Sequence, residues 1–303
     1  MENQKVKVDL MPLDHCPVCR QQARRALFKI KHSEVFECGV CHLRYLDPCL
    51  SPESMASTYE SEETLQEFHS FHEGYYDYGD LQQDSRTRRD FEHGLAILEK
   101  GLAARPDKAI FDVGYGNGFF LALAGQRGWR TGGIDTSPEN QKLAQKKFGL
   151  DLGCGRFERD APSAAVYDAV TFWDVVEHLP DPYQAITRAK AMLRPGGHVL
   201  VALPHDKSLL MVLATALYRL SLGKIRGPLD KVYMLEHVAY YHLGPLKKLF
   251  HANGFELADY FYTRTDLAKY KLSRREKMIA ACILAGGKVL GCQNRIVTVF
   301  RAI

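Results

Sequence analysis

The 303-residue chain can hold one large α/β domain and a smaller unit, and its 46% hydrophobic and 25% charged residues are typical of a globular protein. The net charge of +4 is small, and lysines and arginines are spread among acids, which argues against a nucleic-acid-binding surface. The N-terminus lacks the apolar run of a signal peptide. Eight cysteines, four of them in two C-x-x-C pairs, indicate a reducing cytoplasm and a metal site rather than a disulfide framework.

The two C-x-x-C pairs predict a structural zinc site in an N-terminal ribbon, residues 1–50. Each pair can form a tight turn that directs two thiolates toward one point, and the segment between the pairs is long enough for a hairpin. Four thiolates leave tetrahedral zinc with no open position, so the metal is expected to stabilise the fold rather than to catalyse. A redox site would need a single C-x-x-C at a helix start. The expected ligands are Cys16, Cys19, Cys38 and Cys41.

Residues 51–106 are predicted to contain a linker, an aromatic lid segment and a first helix. The stretch between residues 54 and 79 is crowded with tyrosine and phenylalanine. Such a segment either covers the mouth of the next domain or packs against the ribbon, and both alternatives stay open. The helix that follows ends before Pro106, and its apolar side consists of Phe91, Leu95, Leu98 and Leu102.

The strongest signal in the chain is an apolar run that ends at Asp112 and is followed by Gly114, Gly116 and Gly118, after which another apolar segment begins. This pattern predicts a buried strand, a turn too crowded for side chains and a helix. A ligand could therefore approach the backbone closely, beside the positive end of the helix. The third glycine of a dinucleotide-binding turn would fall at position 119, which is Phe119, so the spacing argues against a dinucleotide site.

Strand-like and helix-like segments alternate from this turn to the C-terminus. Residues 129–134 form a strand-like run that ends at Asp135, and residues 167–172 and 198–203 form two more. The alternation predicts a doubly wound, mostly parallel sheet that binds ligands at the carboxyl ends of its strands. Residues 294–301 alternate between apolar and polar, which predicts an antiparallel last strand.

Several stretches, taken together with the glycine turn, resemble class I S-adenosylmethionine (SAM) methyltransferases. Residues 167–182 (YDAVTFWDVVEHLPDP) are similar to the fourth-strand motif of the small-molecule branch, which includes ubiquinone-biosynthesis and sugar O-methyltransferases. Residues 193–204 and 236–250 are similar to blocks that follow in the same proteins. Residues 41–48 resemble a phrase that follows a four-cysteine ribbon in bacterial members.

The resemblance implies an α/β fold for residues 107–303, with a doubly wound, mostly parallel seven-stranded sheet and an antiparallel last strand. Two nearly apolar segments, residues 208–222 and 278–285, fall within helical insertions near 205–235 and 266–291. Both are shorter than the ~20 residues that span a bilayer. Three roles stay open for them: a cover over the acceptor pocket, contact with a membrane surface, or a dimer interface.

The resemblance also implies where SAM lies. It places the methionine end at the glycine turn, the ribose hydroxyls at Asp135 and the adenine beside Phe157. Arg156 departs from the family pattern, which often has an acid at that position. The implied SAM-binding residues are Asp112, Gly114, Gly116, Gly118, Asp135, Phe157, Trp173 and Asp174.

A hydroxyl acceptor must lose a proton when it is methylated, so a general base is expected, most often a histidine. His178 follows the fourth strand, and His237 stands where the chain returns from the first apolar insertion. We take His237 as the preferred candidate and His178 as the second. The alternative for each is structural: His178 would bond the backbone of its turn, and His237 would anchor the insertion.

These features together predict a cytoplasmic SAM-dependent methyltransferase with structural zinc. The expected reaction is O-methylation of a small-molecule acceptor: a sugar, a nucleotide-sugar or a quinol-like compound. One alternative is an RNA methyltransferase that uses its ribbon to grip nucleic acid, although Arg20, Arg24 and Arg25 are the only basic cluster there. Another is a non-enzymatic partner protein with the same fold, against which the spaced glycines and Asp135 argue.

Overall fold

The computed structural model describes residues 9–30, 32–58, 84–267, 270 and 272–303. The aromatic residues predicted to form a lid or to pack on the ribbon begin at Tyr59 and end at Tyr78, and they lie outside the described residues. That prediction therefore stays a prediction.

The strands of the described chain form one large sheet, one four-stranded sheet and one strand pair. In chain order they are β1 (Leu10–Met11), β2 (Arg24–Lys29), β3 (Glu34–Cys38), β4 (Arg44–Asp47), β5 (Cys49–Leu50), β6 (Ala109–Val113), β7 (Arg130–Asp135), β8 (Gly153–Cys154), β9 (Tyr167–Trp173), β10 (Leu193–Pro204), β11 (Ala239–Tyr240), β12 (Phe255–Thr263) and β13 (Arg295–Ala302).

The helices pack on the large sheet or project beyond its edge. In chain order they are α1 (Pro52–Thr58), α2 (Arg86–Gly101), α3 (Phe119–Gln126), α4 (Pro138–Phe148), α5 (Phe157–Asp160), a 3-10 turn (Val176–His178), α6 (Pro182–Met192), α7 (Leu209–Leu220), α8 (Gly227–Val232), α9 (Leu243–Ala252) and α10 (Arg274–Val289).

The large sheet has seven strands in the order β12-β13-β10-β9-β6-β7-β8. Strand β13 runs antiparallel to both β10 and β12, whereas β10, β9, β6, β7 and β8 are parallel neighbours. Every residue of β6 is buried, as expected for a parallel strand covered by helices on both faces. The predicted doubly wound sheet with an antiparallel last strand is confirmed.

Two apolar cores cover the two faces of this sheet. One face is covered by α2 and α3, where Phe91, Leu95 and Phe119 are buried. On the other face, a single cluster joins sheet residues such as Phe172 to ribbon residues such as Tyr45. The ribbon and the large domain therefore share one core on that face.

The N-terminal ribbon is completed by a short strand from the C-terminal half of the chain. Strands β2, β3 and β4 form antiparallel pairs, and β11 adds to the free edge of β4, with Tyr45 opposite Ala239. The Leu46 backbone N–H also donates to the Val238 carbonyl over 2.9 Å. We call β2, β3 and β4 the ribbon sheet.

The two apolar insertions form helices that pack against each other and leave an apolar face in solvent. Helix α7 packs against both α8 and α10. Ten of the thirteen large apolar side chains that are exposed in the described residues lie on these segments: Val212, Leu213, Leu217, Leu220, Leu222, Ile225, Met278, Ile279, Val289 and Leu290. Within the described ranges, each helix is too short or too polar to cross a bilayer.

Candidate active site

A cavity of about 660 Å³ opens at the carboxyl ends of β6, β7, β9 and β10. This is the edge at which doubly wound sheets bind ligands, because the strand ends and helix starts leave backbone groups without partners there. Met11 of the ribbon and Met55 of α1 also line the cavity, as do Leu210 and Met211 of α7 in the first insertion.

The glycine turn forms part of the cavity wall. Gly114 and Gly116 line it with positive φ angles of 69° and 57°, a conformation that side chains other than glycine rarely adopt. Gly118 does not line the cavity. It precedes α3, and a Cβ there would lie 2.9 Å from the Ala144 Cβ, so the absence of a side chain lets α3 and α4 pack closely.

Asp135 lies at the end of β7 with its carboxylate held by three donors. The backbone N–H groups of Ser137 and Gly116 donate to it over 2.8 and 2.9 Å, and the Asn140 amide donates over 3.2 Å. Burial raises the pKa of Asp135, while these donors act in the opposite direction. The carboxylate thus has a fixed orientation in the cavity wall and is connected directly to the glycine turn.

Asp112, at the end of β6, is almost fully buried beneath the same turn. The Thr171 hydroxyl donates to its Oδ1 over 2.6 Å. Burial raises the pKa of Asp112 well above its usual value, and the negative charge of Asp135 adds to the effect. A cationic group bound above the turn would favour ionisation of this carboxyl group.

Two aromatic residues line opposite sides of the cavity. Phe157 begins α5 and packs edge-on against Phe172, with ring centroids 5.7 Å apart. Trp173 ends β9 and packs edge-on against Phe91 at 4.6 Å. Within the described part of the chain, the buried Trp173 Nε1 has no hydrogen-bond partner, so it can donate to a ligand. Arg156, next to Phe157, lies 3.3 Å from the Glu53 carboxylate.

Asp174 follows Trp173 with a positive φ of 57° and lies 2.6 Å from a guanidinium nitrogen of Arg295. Burial disfavours the charge of Arg295, but the carboxylates of Asp174 and Glu177 outweigh this effect and raise its pKa. The guanidinium therefore stays charged, and it holds the chain that follows β9 against the start of β13.

His178 and His237 lie together in the cavity, with ring centroids 4.8 Å apart. His178 Nδ1 lies 2.8 Å from the Glu236 carbonyl oxygen. Because a carbonyl only accepts, Nδ1 must carry the hydrogen, and Nε2 is the nitrogen whose lone pair can take a proton. Burial lowers the pKa of His178, so the neutral imidazole predominates near pH 7.

Sequence reasoning missed two acids that accompany these histidines. Glu177 lines the cavity fully buried, and neither of its carboxylate oxygens has a hydrogen-bond partner among the residues described. Burial and the charge of Asp174 raise its pKa well above its usual value. Burial also raises the pKa of Glu236 to about 7. Both acids directly precede a candidate histidine, so the repeated Glu-His pair was the available signal.

The four predicted zinc ligands converge at the tip of the ribbon. Cys16 Sγ lies 3.5 Å from Cys41 Sγ, Cys19 Sγ lies 3.4 Å from Cys38 Sγ, and all four sulfurs lie within 4.8 Å of one another. Tetrahedral zinc with sulfur at about 2.3 Å requires sulfur separations of about 3.8 Å, so this donor set fits the metal. Backbone N–H groups of Val40 and Cys41 also point at Cys38 Sγ.

Comparison with curated proteins gives partial matches. Ubiquinone biosynthesis O-methyltransferase of Marinobacter nauticus is 34% identical over 126 residues, which cover 38% of this chain and 52% of that protein. The protein of the same name from Cronobacter sakazakii is 28% identical over 174 residues, 50% of this chain and 70% of that protein. The chain thus spans about half the length of the first of these relatives.

Among solved structures, magnesium protoporphyrin IX methyltransferase from Synechocystis PCC 6803, with bound S-adenosylhomocysteine (SAH), is similar over 84% of this chain and all of that chain. The TM-score is 0.51 and the identity 15%, which shows a shared fold. The strand order, the glycine turn and the acid that ends the next strand together define the class I methyltransferase fold. Residues 86–260 match the family described as a methyltransferase domain. Because this match covers more than half of the chain, the chain belongs to that family.

Proposed function

We propose that the chain is a SAM-dependent methyltransferase that transfers a methyl group to a hydroxyl of a small molecule. The observation that carries this proposal is one cavity that holds both the glycine turn with Asp135 and the His178–His237 pair. The names of the relatives, ubiquinone biosynthesis O-methyltransferases, agree with an oxygen acceptor.

The cofactor half of the cavity fits the three chemical parts of SAM. Asp135 presents a fixed carboxylate to the two ribose hydroxyls, and the bare backbone of Gly114 and Gly116 admits the amino acid portion. A bound ammonium group would favour ionisation of Asp112 beneath the turn, and Asp174, held by Arg295, lines the same cavity. Phe157 lines the same cavity and is the proposed contact for the adenine ring. SAM supplies a methyl group on a positively charged sulfur, which leaves as a neutral thioether.

The histidine pair supplies the base for this transfer. As the new oxygen–carbon bond forms and the sulfur–carbon bond breaks, the acceptor hydroxyl releases its proton to His178 Nε2. The Glu236 carbonyl keeps the Nδ1 hydrogen in place and so fixes the tautomer that can accept. The fixed tautomer is the reason for preferring His178 over His237 as the proton acceptor, and the His237 ring lies beside it, with ring centroids 4.8 Å apart. The cavity walls exclude water and hold the acceptor near attack distance.

The part of the cavity around His178 and His237, which we call its acceptor half, suits an aromatic or lipophilic hydroxyl compound, such as a quinol, better than a sugar. Five apolar side chains line this part of the cavity, Leu179, Leu210, Met211, Val232 and Met234, together with polar ones such as Glu177, Asp206, Ser208 and Lys231. Sugars are bound through many polar side chains, whereas flexible methionines adapt to flat or greasy ligands. Leu210 and Met211 belong to the first insertion, which supports its role as a pocket cover.

The exposed face of α7 and α10 suits an anionic membrane surface, where a lipophilic acceptor would be found. Ten exposed apolar side chains lie on these segments. Basic residues lie on the same segments and would attract anionic lipids. The two acids nearby are each close to a base: Glu276 pairs with Lys231 over 2.9 Å, and Asp230 lies 3.9 Å from Arg226. Six further basic side chains lie on the same segments: Arg219, Lys224, Arg274, Arg275, Lys277 and Lys288. Sedimentation with phosphatidylglycerol vesicles, but not with neutral ones, is the expected result, and a stable dimer in solution would favour the interface alternative.

Label transfer from methyl-labelled SAM tests the proposed reaction. Catechols and quinols, sugars and nucleotide-sugars, and bulk RNA form three separate arms, and Asp135→Asn, which should transfer less label at subsaturating SAM, is the control. Transfer to a compound of the first arm supports the proposal. Transfer to RNA alone would favour the RNA methyltransferase, and SAM binding without transfer in any arm would favour a non-enzymatic role.

We also propose that the four-cysteine cluster holds one structural zinc ion. The sulfur separations fit, the sulfurs are the preferred ligands, and four protein ligands leave no position for a substrate. The cluster lies in the ribbon, whereas the glycine turn and the histidines lie at the edge of the large sheet, so the metal has a structural part in the molecule.

A further inference from the structure

The acceptor half of the cavity is attached to the ribbon sheet by backbone pairing. Strand β11 forms the fourth strand beside β4, with Ala239 opposite Tyr45 and Tyr240 opposite Arg44. Strand β11 begins two residues after His237. Glu236 directly precedes His237, and its carbonyl oxygen contacts His178 Nδ1. Both histidines of the site are therefore tied to a short segment whose far end is held by the ribbon.

The residue that follows β11 extends this connection to His205 and Asp206 at the end of β10. His205 pairs with Tyr241 as a parallel bridge, and the Asp206 N–H donates to the Tyr241 carbonyl over 2.8 Å. His205 and Asp206 follow β10 directly and line the cavity. The ribbon, β11 and the end of β10 thus form one continuous series of backbone contacts.

One ribbon side chain reinforces the connection from inside. Arg44 of β4 is largely buried, and its Nη1 donates to the Tyr233 hydroxyl over 3.0 Å. Its Nε lies 3.9 Å from the carboxylate of Asp206, whose other oxygen lies 3.1 Å from His242 Nδ1. Arg44 therefore links Tyr233, which directly follows α8, to Asp206, which lines the cavity.

The ribbon also holds the first insertion from its outer side. The Phe28 ring packs edge-on against Tyr233 at 4.8 Å and against Tyr218 of α7 at 5.7 Å. The Arg226 guanidinium donates to the Lys29 carbonyl over 2.7 Å. In contrast, the partners of Asp135 all lie within residues 116–140, far along the chain from the ribbon sheet.

We propose that the ribbon sheet is the scaffold of the acceptor half of the site, and that Arg44 is a positioning residue for acceptor binding and proton transfer. It acts through Tyr233 and Asp206 and does not touch the reacting atoms. The ribbon sheet then affects turnover and leaves the partners that hold Asp135 in place, so SAH affinity is expected to change little. This inference rests on the proposed methyl transfer for its kinetic arm only.

The experiment compares Arg44→Gln and Tyr233→Phe with Arg25→Gln. Tyr233→Phe removes the same contact from the other side while preserving the ring. Arg25 is the matched control because it lies on the same ribbon sheet and pairs with Glu37, which also lies near Arg44. The Arg25 side chain is 71% exposed. The measurements are zinc content, SAH affinity by calorimetry, kcat and KM for the acceptor, and the rate of tryptic cleavage between Arg219 and Lys231.

Arg44→Gln and Tyr233→Phe are expected to keep zinc and SAH affinity and to lower kcat/KM about 10- to 100-fold, the usual consequence of a displacement near 1 Å in a site. Both are expected to be cleaved faster than wild type in the first insertion, with Arg25→Gln unchanged and Arg44→Lys intermediate. Unchanged turnover and cleavage in both variants would overturn the inference, as would a loss of SAH affinity that parallels the loss of turnover. If the wild-type protein transfers no methyl group, the proposed function fails, and the cleavage rates still decide whether the ribbon supports the insertion.

Discussion

Replacement of Gly114 by alanine tests whether the glycine turn is fixed by contact with the loop that carries His178. A Cβ at Gly114 would lie 2.6 Å from Val175 Cγ2, well inside the closest normal approach of two carbons. Val175 is a branched residue with a stiff side chain, and it directly precedes the 3-10 turn that contains His178. Either the turn or this loop must move.

Gly149 provides the control, because its φ of 67° matches the 69° of Gly114 and a Cβ there meets no atom within 4 Å. An alanine in the left-handed conformation costs about 1–2 kcal/mol at either position. The smaller entropy of the unfolded chain offsets this cost by about 0.4–1 kcal/mol, again at both. The contact with Val175 adds about 1–3 kcal/mol at Gly114 alone, the usual cost of overpacking.

Urea unfolding followed by circular dichroism measures the difference. Gly114→Ala is expected to lower the free energy of unfolding by about 1–3 kcal/mol more than Gly149→Ala, and Val175→Ala in the same chain should recover most of that excess. Calorimetry with SAH should show weaker binding for Gly114→Ala and normal binding for Gly149→Ala. Equal destabilisation by both alanines, or no recovery with Val175→Ala, would refute the reasoning.

Three further predictions follow from the site. The purified protein should contain about one zinc ion per chain. The Cys38→Ser variant should lose this zinc, whereas Cys154→Ser, a change at an exposed cysteine, should keep it. Wild-type protein that contains no zinc when prepared without chelator would contradict the assignment. Asp135→Asn should weaken SAH binding by about 1.5–3 kcal/mol, whereas Glu139→Gln on the exposed side of α4 should bind normally; equal affinities would place the ribose elsewhere. His178→Gln should lower kcat about 10²–10⁴-fold at unchanged SAH affinity, and a larger loss in His237→Gln would reverse their roles. Because burial lowers the pKa of His178, its base form is lost only as the pH falls below the usual histidine value of about 6.5. The part of kcat/KM that depends on His178, measured as the difference between wild type and His178→Gln, should therefore fall only on the acid side.

The parts of the fold that depend on local sequence were predictable. A buried strand, a glycine turn and a helix start leave their signal within about a dozen residues, as do the Ser137 cap and Pro138 of α4, where the Ser137 hydroxyl accepts from the Asn140 N–H over 3.3 Å. The parallel, doubly wound arrangement of the sheet followed from the alternation of strand and helix patterns.

Contacts between distant segments were not predictable from one sequence. The pairing of β4 with β11 joins segments that share no local pattern, because a two-residue strand carries too little periodicity to be recognised. The contact of Arg295 with Asp174 likewise depends on the antiparallel entry of β13 at the carboxyl edge of the sheet. Gly118 shows that spacing alone does not reveal what a glycine contacts. Its spacing fits the ligand-binding turn, but its Cβ position faces α4 rather than the cavity.

The closure of the ribbon sheet by β11 has a consequence for how the chain folds during synthesis. Arg44 and its partner Tyr233 are separated by 189 residues, so translation at 5–20 residues per second delays their contact by roughly 10–40 s. Throughout this interval the edge of β4 presents unpaired N–H and C=O groups, the feature through which nascent chains pair with each other. A ribbon that already holds its metal would keep this edge short and fixed while it waits, whereas a metal-starved ribbon would expose it as a loose strand. Zinc supply during synthesis is then expected to govern the yield of native protein more strongly than the stability of protein that has already folded.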